Sequence, residues 1–517
     1  MINASQPIPD DPKIPAAMAI IYNGPGQINH TSDPANHYNG QVGIEMRGST
    51  SQSLSPKKPY GFELRDNNGK SVNLSLLGMP AESDWVLLAP YFDKSLIRDP
   101  LIQLLAGQFM EYAPRMRFCE LVLNDEYRGV YILGEKIKRN AARLNITKIS
   151  KTDISGDAIT GGYLYKLDKT TGEEVVSGWN SKYDGNKTYF QFETPKPVDI
   201  SPEQKTYAQG VINHFEDVLQ SDDFVKPATG YSTLIDMGTF VDFMIVNELT
   251  RNVDGYRLST FFYKDRDSTD SRIKMGPVWD FNIAFGNANY CNGSSTTGWA
   301  LDFNKACPQD GYQIPFWWSR MMTDTTFRMA ASERWLQLRQ NVLSDVHIRT
   351  VLDSMVALLS EAQVRNFNKW PILSTWVWPN NYVGGTYQNE INYLKTWIAD
   401  RTKWLDGAFD DLGKPLTVGI CWDEEKSDPS PERPDPVVYP NPAGDQDPTF
   451  KYFVHEGDVV TIRIFNSTGA QVDKWVDSNC QNGWNQSVWN MESGAGIYFY
   501  IIYFNERLVQ SGKIVRN

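Results

Sequence analysis

The feature that most constrains this 517-residue chain is the run DEEKSDPSPERPDP at 423–436, dense in proline and charge. Proline lacks the amide that helix and ladder bonds need, and like charges extend a chain, so such a run connects folded bodies rather than joining one. It predicts a large N-terminal part, a linker over 413–436 and a short C-terminal part over 437–517. A chain this long exceeds the size at which one core stops growing, which agrees with more than one domain. Hydrophobic content of 41% with 22% charged residues is ordinary for a globular protein, and no 18-residue apolar run is present to span a bilayer. The net charge of −12 repels polyanions and argues against nucleic acid as a partner.

Within the large part the hydrophobic period changes. Residues 41–195 read mainly as strands: Gln41–Gly48 is one candidate, and Tyr60, Phe62 and Leu64 alternate with polar neighbours, the period of a half-buried strand. RFCELVL and GVYILGEKI flank Asn124–Arg128 as a hairpin. One helix is expected over 96–112, ending before Pro114. From Ser201 the period becomes helical. Ser201-Pro202-Glu203-Gln204 supplies an N-cap, a first-turn proline and a capping-box glutamine. Further helices are expected over 236–249, 324–343, 346–366 and 388–411. The expected organisation is an N-terminal extension over 1–35, a β-rich lobe over 36–199 and a helix-rich lobe over 200–412. Alternating runs such as VVTIRIF and GIYFYIIYF in 437–517 suggest a small all-β sandwich, so the fold class is α+β.

The chemistry concentrates in Asn247–Asn289. Leu258–Lys264 and Arg272–Val278 read as strands around a polar turn, and an antiparallel pairing returns the end of the second to the start of the first. Asp254 precedes the first strand and Asp280 follows the second, so the hairpin brings both carboxylates to one end, within ~10 Å for a strand spacing of ~4.8 Å. Such a pair suits phosphoryl transfer, where one carboxylate orients the attacking hydroxyl and the other holds a divalent cation on the nucleotide phosphates. The same pair also reads as turn formers beside Gly255 and Trp279-Phe281, or as the two carboxylates of a glycoside hydrolase.

The succession RGSTSQSLSPKKPYGFELRD, DWVLLAPYFDKSLIRD, YRGVYILGEKIK, NELTRNVDGYRLSTFFYKD and KMGPVWDFNIAFGNANY resembles the CotH family in content, order and spacing. The resemblance implies an atypical protein-kinase-like, two-lobed fold that binds ATP with Mg²⁺ or Mn²⁺ and phosphorylates a protein substrate. Carried over by residue, Asp254 of NVDG is the catalytic aspartate and Asp280 of WDF holds the metal, with Asn282 as a second metal ligand. Arg47, Gly48, Ser49 and Lys58 are expected to face the phosphates, joined by Glu135 and Lys136 of GEKI. Lys58 also reads as a solvated strand-edge lysine, and Glu135 with Lys136 as an exposed ion pair.

Two positions depart from the pattern: Ser259 stands where familiar kinases carry a metal-binding Asn, and Asn282 stands where many relatives carry Asp. Losing a negative charge weakens a cation site, so a pseudokinase acting as a surface binding or adhesion protein is the alternative.

The tail segments VVYPNPA, TIRIFNSTGAQV and GIYFYIIYFNERLVQSGKIVRN are similar to the type A sorting domain of the type IX secretion system of Bacteroidota. That similarity implies a secreted or cell-surface protein handed to the secretion machinery, and hence a truncated start, since Met1-Ile-Asn-Ala-Ser shows no signal peptide. Cys291 and Cys307 flank a Gly/Ser-rich loop that a disulfide could close or that two free thiols could flank. Trp370, Trp376 and Trp378 read as helix-packing side chains, with a sugar-stacking platform as the other reading.

Overall fold

The computed structural model describes residues 1–171, 177–185, 187–414, 434, 436–443, 446–455, 458–466, 471–478, 481–490, 495–505 and 507–516. Helices and strands are mixed, as α+β requires, and the chain divides into two compact units, 1–414 and 415–517. The proline-rich run expected as a linker lies almost wholly outside the described residues.

The first unit opens with a closed seven-stranded barrel in the order Ile2–Ala4, Ile14–Ile20, Tyr38–Met46, Tyr60–Arg65, Asp84–Leu88, Glu126–Glu135 and Met116–Leu123. Residues 1–35 are therefore not an extension: Ile2 pairs with Met18 on one side and with Leu123 on the other, which closes the ring. Short runs of Ala, Met and Pro gave this pairing little period-two signal. Alternation drives the barrel, with Ile14, Ala16 and Met18, then Val42 and Ile44, then Phe62 and Leu64 all buried in one cluster. Met116–Leu123 turns into Glu126–Glu135 through Asn124 and Asp125, both at positive φ of 49° and 59°. That is the backbone a two-residue turn needs to match strand twist, and Asn and Asp tolerate it.

A second, five-stranded antiparallel sheet runs Gly178–Asn180, Tyr189–Thr194, Tyr163–Leu167, Thr260–Lys264, Ile273–Met275. Tyr163 pairs with Lys264 and Leu167 with Thr260, so the expected division between 199 and 200 crosses a single sheet. Helices cover it. Pro202–Gln220 starts on a complete capping box in which Ser201 and Gln204 exchange side-chain and backbone bonds. The expected helix over 96–112 is the shorter Arg98–Ala106, ending at Gly107, and the one over 346–366 is two, Asp345–Leu358 and Ala362–Lys369. Phe190 stacks on Trp317, which meets Phe215 and Phe262 edge-on, joining the sheet to its helices in one core. Among the described residues no helix is long and apolar enough to cross a membrane.

The second unit contains a three-stranded sheet (Val437–Tyr439, Thr449–Val454, Gly483–Val488) and a four-stranded sheet (Gln471–Asp477, Val460–Asn466, Gly496–Phe504, Arg507–Arg516). Phe450, Tyr452 and Val454 of the first share a buried cluster with Val460, Ile462, Ile464 and Ile502 of the second.

Candidate active site

The helix Met237–Thr250 ends at Arg251, whose φ of 44° reverses the chain into the turn that carries Asp254. Gly255 is required next, because a Cβ there would lie 2.3 Å from Asn247 Oδ1. The chain then enters Thr260–Lys264, and the paired strand Ile273–Met275 returns it to Asp280. Asp280 also sits at positive φ, 64°, a conformation that costs a non-glycine residue energy and persists only where neighbours impose it. Three bonds do so: Gln103 Nε2 donates to Val278 O at 3.1 Å, Asn252 Nδ2 donates to Asp280 O at 3.2 Å, and Phe281 N donates to Asp99 Oδ1 at 3.4 Å.

Asn252 ties the two aspartate turns together. Its Oδ1 accepts from Asp254 N at 3.2 Å while its Nδ2 holds the Asp280 carbonyl. Both aspartates line one cleft of about 1010 Å³, walled by barrel residues Arg47, Phe62 and Lys136, by Asp168 and Glu193 of the five-stranded sheet and its loops, and by Tyr290 and Trp378.

Acidic and basic side chains are crowded together in this cleft. Burial, and after it the carboxylates of Asp99, Asp254 and Asp168, push Asp280 up to about 7. Asp99 is pushed up to about 6, chiefly by burial, and Asp168 is raised for the same first reason. Asp280, Asp99 and Asp168 raise one another's cost of ionisation, the situation a cation relieves. Among them, Arg47 is shifted down by burial and up by Asp280, Glu45, Glu193 and Asp168, and its guanidinium lies 5.5 Å from the Trp279 ring centroid. Lys136 is likewise lowered by burial and raised by Glu193 and Asp84.

Of the residues expected to bind the nucleotide, Arg47, Gly48, Ser49 and Lys136 lie on the cleft wall; Gly48 is at φ 91° and Ser49 Oγ meets Thr171 Oγ1 at 2.8 Å. Lys58 and Glu135 do not lie on it. Lys58 Nζ caps the carbonyl of Gln52 at 2.5 Å, satisfying the turn of the short helix Thr50–Leu54. Glu135 is fully buried and accepts from Arg115 at 2.9 Å and from Tyr112 at 3.2 Å. Glu135, the last residue of its strand, turns into the interior, whereas Lys136, one residue beyond it, lines the cleft. Asn282 lines the cleft, but its Nδ2 donates to Asp280 Oδ1 at 2.5 Å. Trp376 and Trp378 do not pack between helices; they are 55% and 36% exposed, and Trp378 stacks on Tyr290 with centroids 6.1 Å apart.

Sequence reasoning missed Asp99, Asp168, Asn252 and Arg257. Asp99 closes the segment DKSLIRD and Asn252 precedes Asp254 in NVDG, so both stood inside quoted motifs; Asp168, directly after a strand, had only that position as a signal. Among the described residues no group of three or more His, Cys, Asp or Glu side chains forms a cage for a metal ion. The donor set nonetheless fits Mg²⁺ or Mn²⁺, hard cations held by one or two carboxylates with phosphate oxygens completing the shell.

A family model described as CotH kinase protein matches residues 44–405. No curated protein matches the chain. Among solved structures, the Pseudomonas fluorescens alkylpurine DNA glycosylase AlkC bound to DNA containing an abasic site analog aligns at 13% identity over 44% of this chain and 70% of that one. Its TM-score of 0.11 carries no argument.

Proposed function

The chain belongs to the CotH kinase family, and from that premise we propose that it is an ATP-dependent protein kinase whose two-lobed, kinase-like body encloses the cleft described above. The observation that carries the reading is the joining of Asp254 and Asp280 through Asn252 in one cleft that Arg47 and Lys136 also line. A divalent cation bound with the nucleotide supplies charge neutralisation on the transferring phosphoryl group. Asp280 is the side chain that holds it, in the acidic quarter where Asp99 and Asp168 add to the field. Arg47, Lys136 and the turn at Gly48-Ser49 hold phosphate oxygens.

Asp254 receives the acceptor. Its Oδ1 is engaged by Arg257 Nη2 at 2.9 Å, and among the described residues no donor meets its Oδ2, which is therefore open to a hydroxyl. The acceptor oxygen attacks the γ-phosphorus, the bond to the ADP leaving group breaks, and the hydroxyl proton passes to Asp254. Tyr290 and Trp378 form the apolar wall on this side, suited to a peptide carrying the hydroxyl. Export to the cell surface through the second unit agrees with the disulfide between Cys291 and Cys307, since such bonds persist in oxidising compartments.

A surface-binding pseudokinase is the second reading, favoured by the bond from Asn282 to Asp280 Oδ1, which uses a lone pair that a metal ligand needs. Calorimetric titration of ATP with Mg²⁺ or Mn²⁺, alongside self-phosphorylation with labelled ATP, separates the two. Asp280→Ala is expected to abolish metal-dependent ATP binding. Asp254→Ala should keep ATP binding within about twofold and lose at least ~100-fold in transfer, a loss confined to the transition state. Wild-type protein that binds ATP without transferring phosphate would establish the pseudokinase; no ATP binding at millimolar concentration would reject both nucleotide readings.

A further inference from the structure

Arg257 is 5% exposed and divides its donors between two segments. Nε donates to Val253 O at 2.9 Å and Nη2 to Asp254 Oδ1 at 2.9 Å, both within the aspartate turn. Nη1 donates to Asp310 Oδ1 at 3.2 Å and to Tyr312 O at 3.3 Å, and the guanidinium carbon lies 4.0 Å from the Phe303 ring centroid. Cys291 and Cys307, 16 residues apart, close a loop with a disulfide; Phe303 lies inside it, and Asp310 and Tyr312 follow directly after its second cysteine. Asp310 hangs from the bridge, its amide donating to Cys307 O at 3.1 Å, and Gln313 Nε2 donates to Cys307 O at 3.1 Å and to Asp310 O at 2.8 Å. Tyr290, adjacent to the other half of the bridge, is the cleft wall beside Asp254. The remainder of the loop is strapped to the helix behind the turn: Arg251 donates to Asn292 O at 2.7 Å, and Glu248 accepts from Ala300 N at 2.7 Å and Leu301 N at 3.0 Å.

We infer that Arg257 is the positioning residue for Asp254 and that the Cys291–Cys307 loop, by fixing Arg257, acts as a redox-sensitive brace on phosphoryl transfer. The inference rests on the kinase reading for the role of Asp254. A planar guanidinium has one orientation that satisfies Asp254, Asp310 and two carbonyls together, so it transmits the loop's position to the carboxylate. Both half-cystines are partly exposed, within reach of a reductant. A trialkylphosphine delivers two electrons to the bridge: the S–S bond breaks, each sulfur takes a proton from water, and the phosphine takes the water oxygen to become its oxide. Freed of the bridge, the loop loses its closure constraint, and Asp310 and Tyr290 gain independent freedom. The nucleotide end, at Arg47 and Asp280, has no bond to Arg257.

The test uses the full chain. Arg257→Gln should lower the self-phosphorylation rate with ATP and Mn²⁺ by about 100-fold, the scale of a small misplacement of a reacting group. ATP affinity should stay within about twofold, and Arg257→Lys, which keeps the charge without the fork, should fall between. Cys291→Ser/Cys307→Ser and phosphine-treated wild type should each lose about tenfold, with the treated protein recovering on reoxidation. Transfer at the wild-type rate in Arg257→Gln, or an ATP affinity that falls in step with transfer, overturns the positioning role. An unchanged rate in both the reduced protein and the Cys double variant overturns the redox brace. Amide hydrogen exchange reads the brace without nucleotide: residues 251–258 should exchange faster in these variants while 278–283 do not. If wild type transfers no phosphate, the kinase reading fails, and the exchange comparison still decides whether the loop holds the turn.

Discussion

Lys57 lies inside the barrel wall, 1% exposed, with Nζ donating to Val130 O at 2.5 Å and to Asn366 Oδ1 at 2.9 Å and standing 5.1 Å from the Tyr131 ring centroid. Its oxygen partners are neutral, so burial pushes it down to about 7, well below the ordinary lysine value. Between that value and the ordinary one the unfolded chain binds a proton that the folded chain does not, so stability attributable to Lys57 rises with pH across this window. Below about 7 both states carry the proton and the folded state bears the burial cost. Comparing wild type with Lys57→Met by urea unfolding at pH 6.5 and pH 9.5, the difference in unfolding free energy should move toward wild type by up to about 1.4 kcal/mol per pH unit within the window. A pH-independent difference would mean that Lys57 keeps its ordinary proton affinity. Lys58, the neighbour expected in the cleft, caps a helix turn instead, and one residue of register separates these fates.

The helix Arg98–Ala106 governs the geometry of Asp280 without lending it a partner for its carboxyl oxygens. Gln103 holds Val278 O, and Asp99 receives Phe281 N, so the helix grips both ends of the turn whose centre is at positive φ. Releasing one grip lets the turn relax from a conformation worth roughly 1–3 kcal/mol of strain. Gln103→Leu, close in volume and without the amide, should weaken metal-dependent ATP binding by about 5- to 30-fold, while the maximal transfer rate at saturating ATP changes little. Calorimetry together with a saturation curve separates these quantities, and an unaltered affinity would assign the Gln103 bond to packing alone. Pro202–Gln220, by contrast, is an element declared by its own first residues, capping box included.

At the scale of the whole molecule the two ends of the chain carry opposite expectations. Ile2–Ala4 and Ile14–Ile20 complete the barrel and bury Ile2, Ile14, Ala16 and Met18, so deleting residues 1–20 removes several side chains worth about 1.5–3 kcal/mol each. Against a total stability of about 5–15 kcal/mol, that loss should abolish cooperative unfolding of the barrel. Deleting 434–517 removes a unit with its own core, so residues 1–414 should melt within about 3 °C of the full chain. Calorimetric melting of both truncations checks the pair; a barrel that survives the first deletion, or a first unit that fails after the second, would contradict the assignment of cores.

Local periodicity determined the strands around Tyr60 and Thr260, the helices Pro202–Gln220 and Met237–Thr250, and the hairpin that returns Asp280 to the level of Asp254. These are legible because alternation, capping and chain reversal act within about twenty residues, the range over which a pattern in the chain is also a pattern in space. Tertiary structure alone decided that Ile2 meets Leu123, that strands from either side of residue 199 form one sheet, and that Lys136 rather than Glu135 or Lys58 faces the cleft. It also decided that Asp99 and Asp168 crowd Asp280, and that Arg257 links Asp254 to Asp310, more than fifty residues ahead and just past a disulfide-closed loop. Burial and long-range charge depend on which surfaces are packed together, and no spacing along the chain encodes that before the core forms.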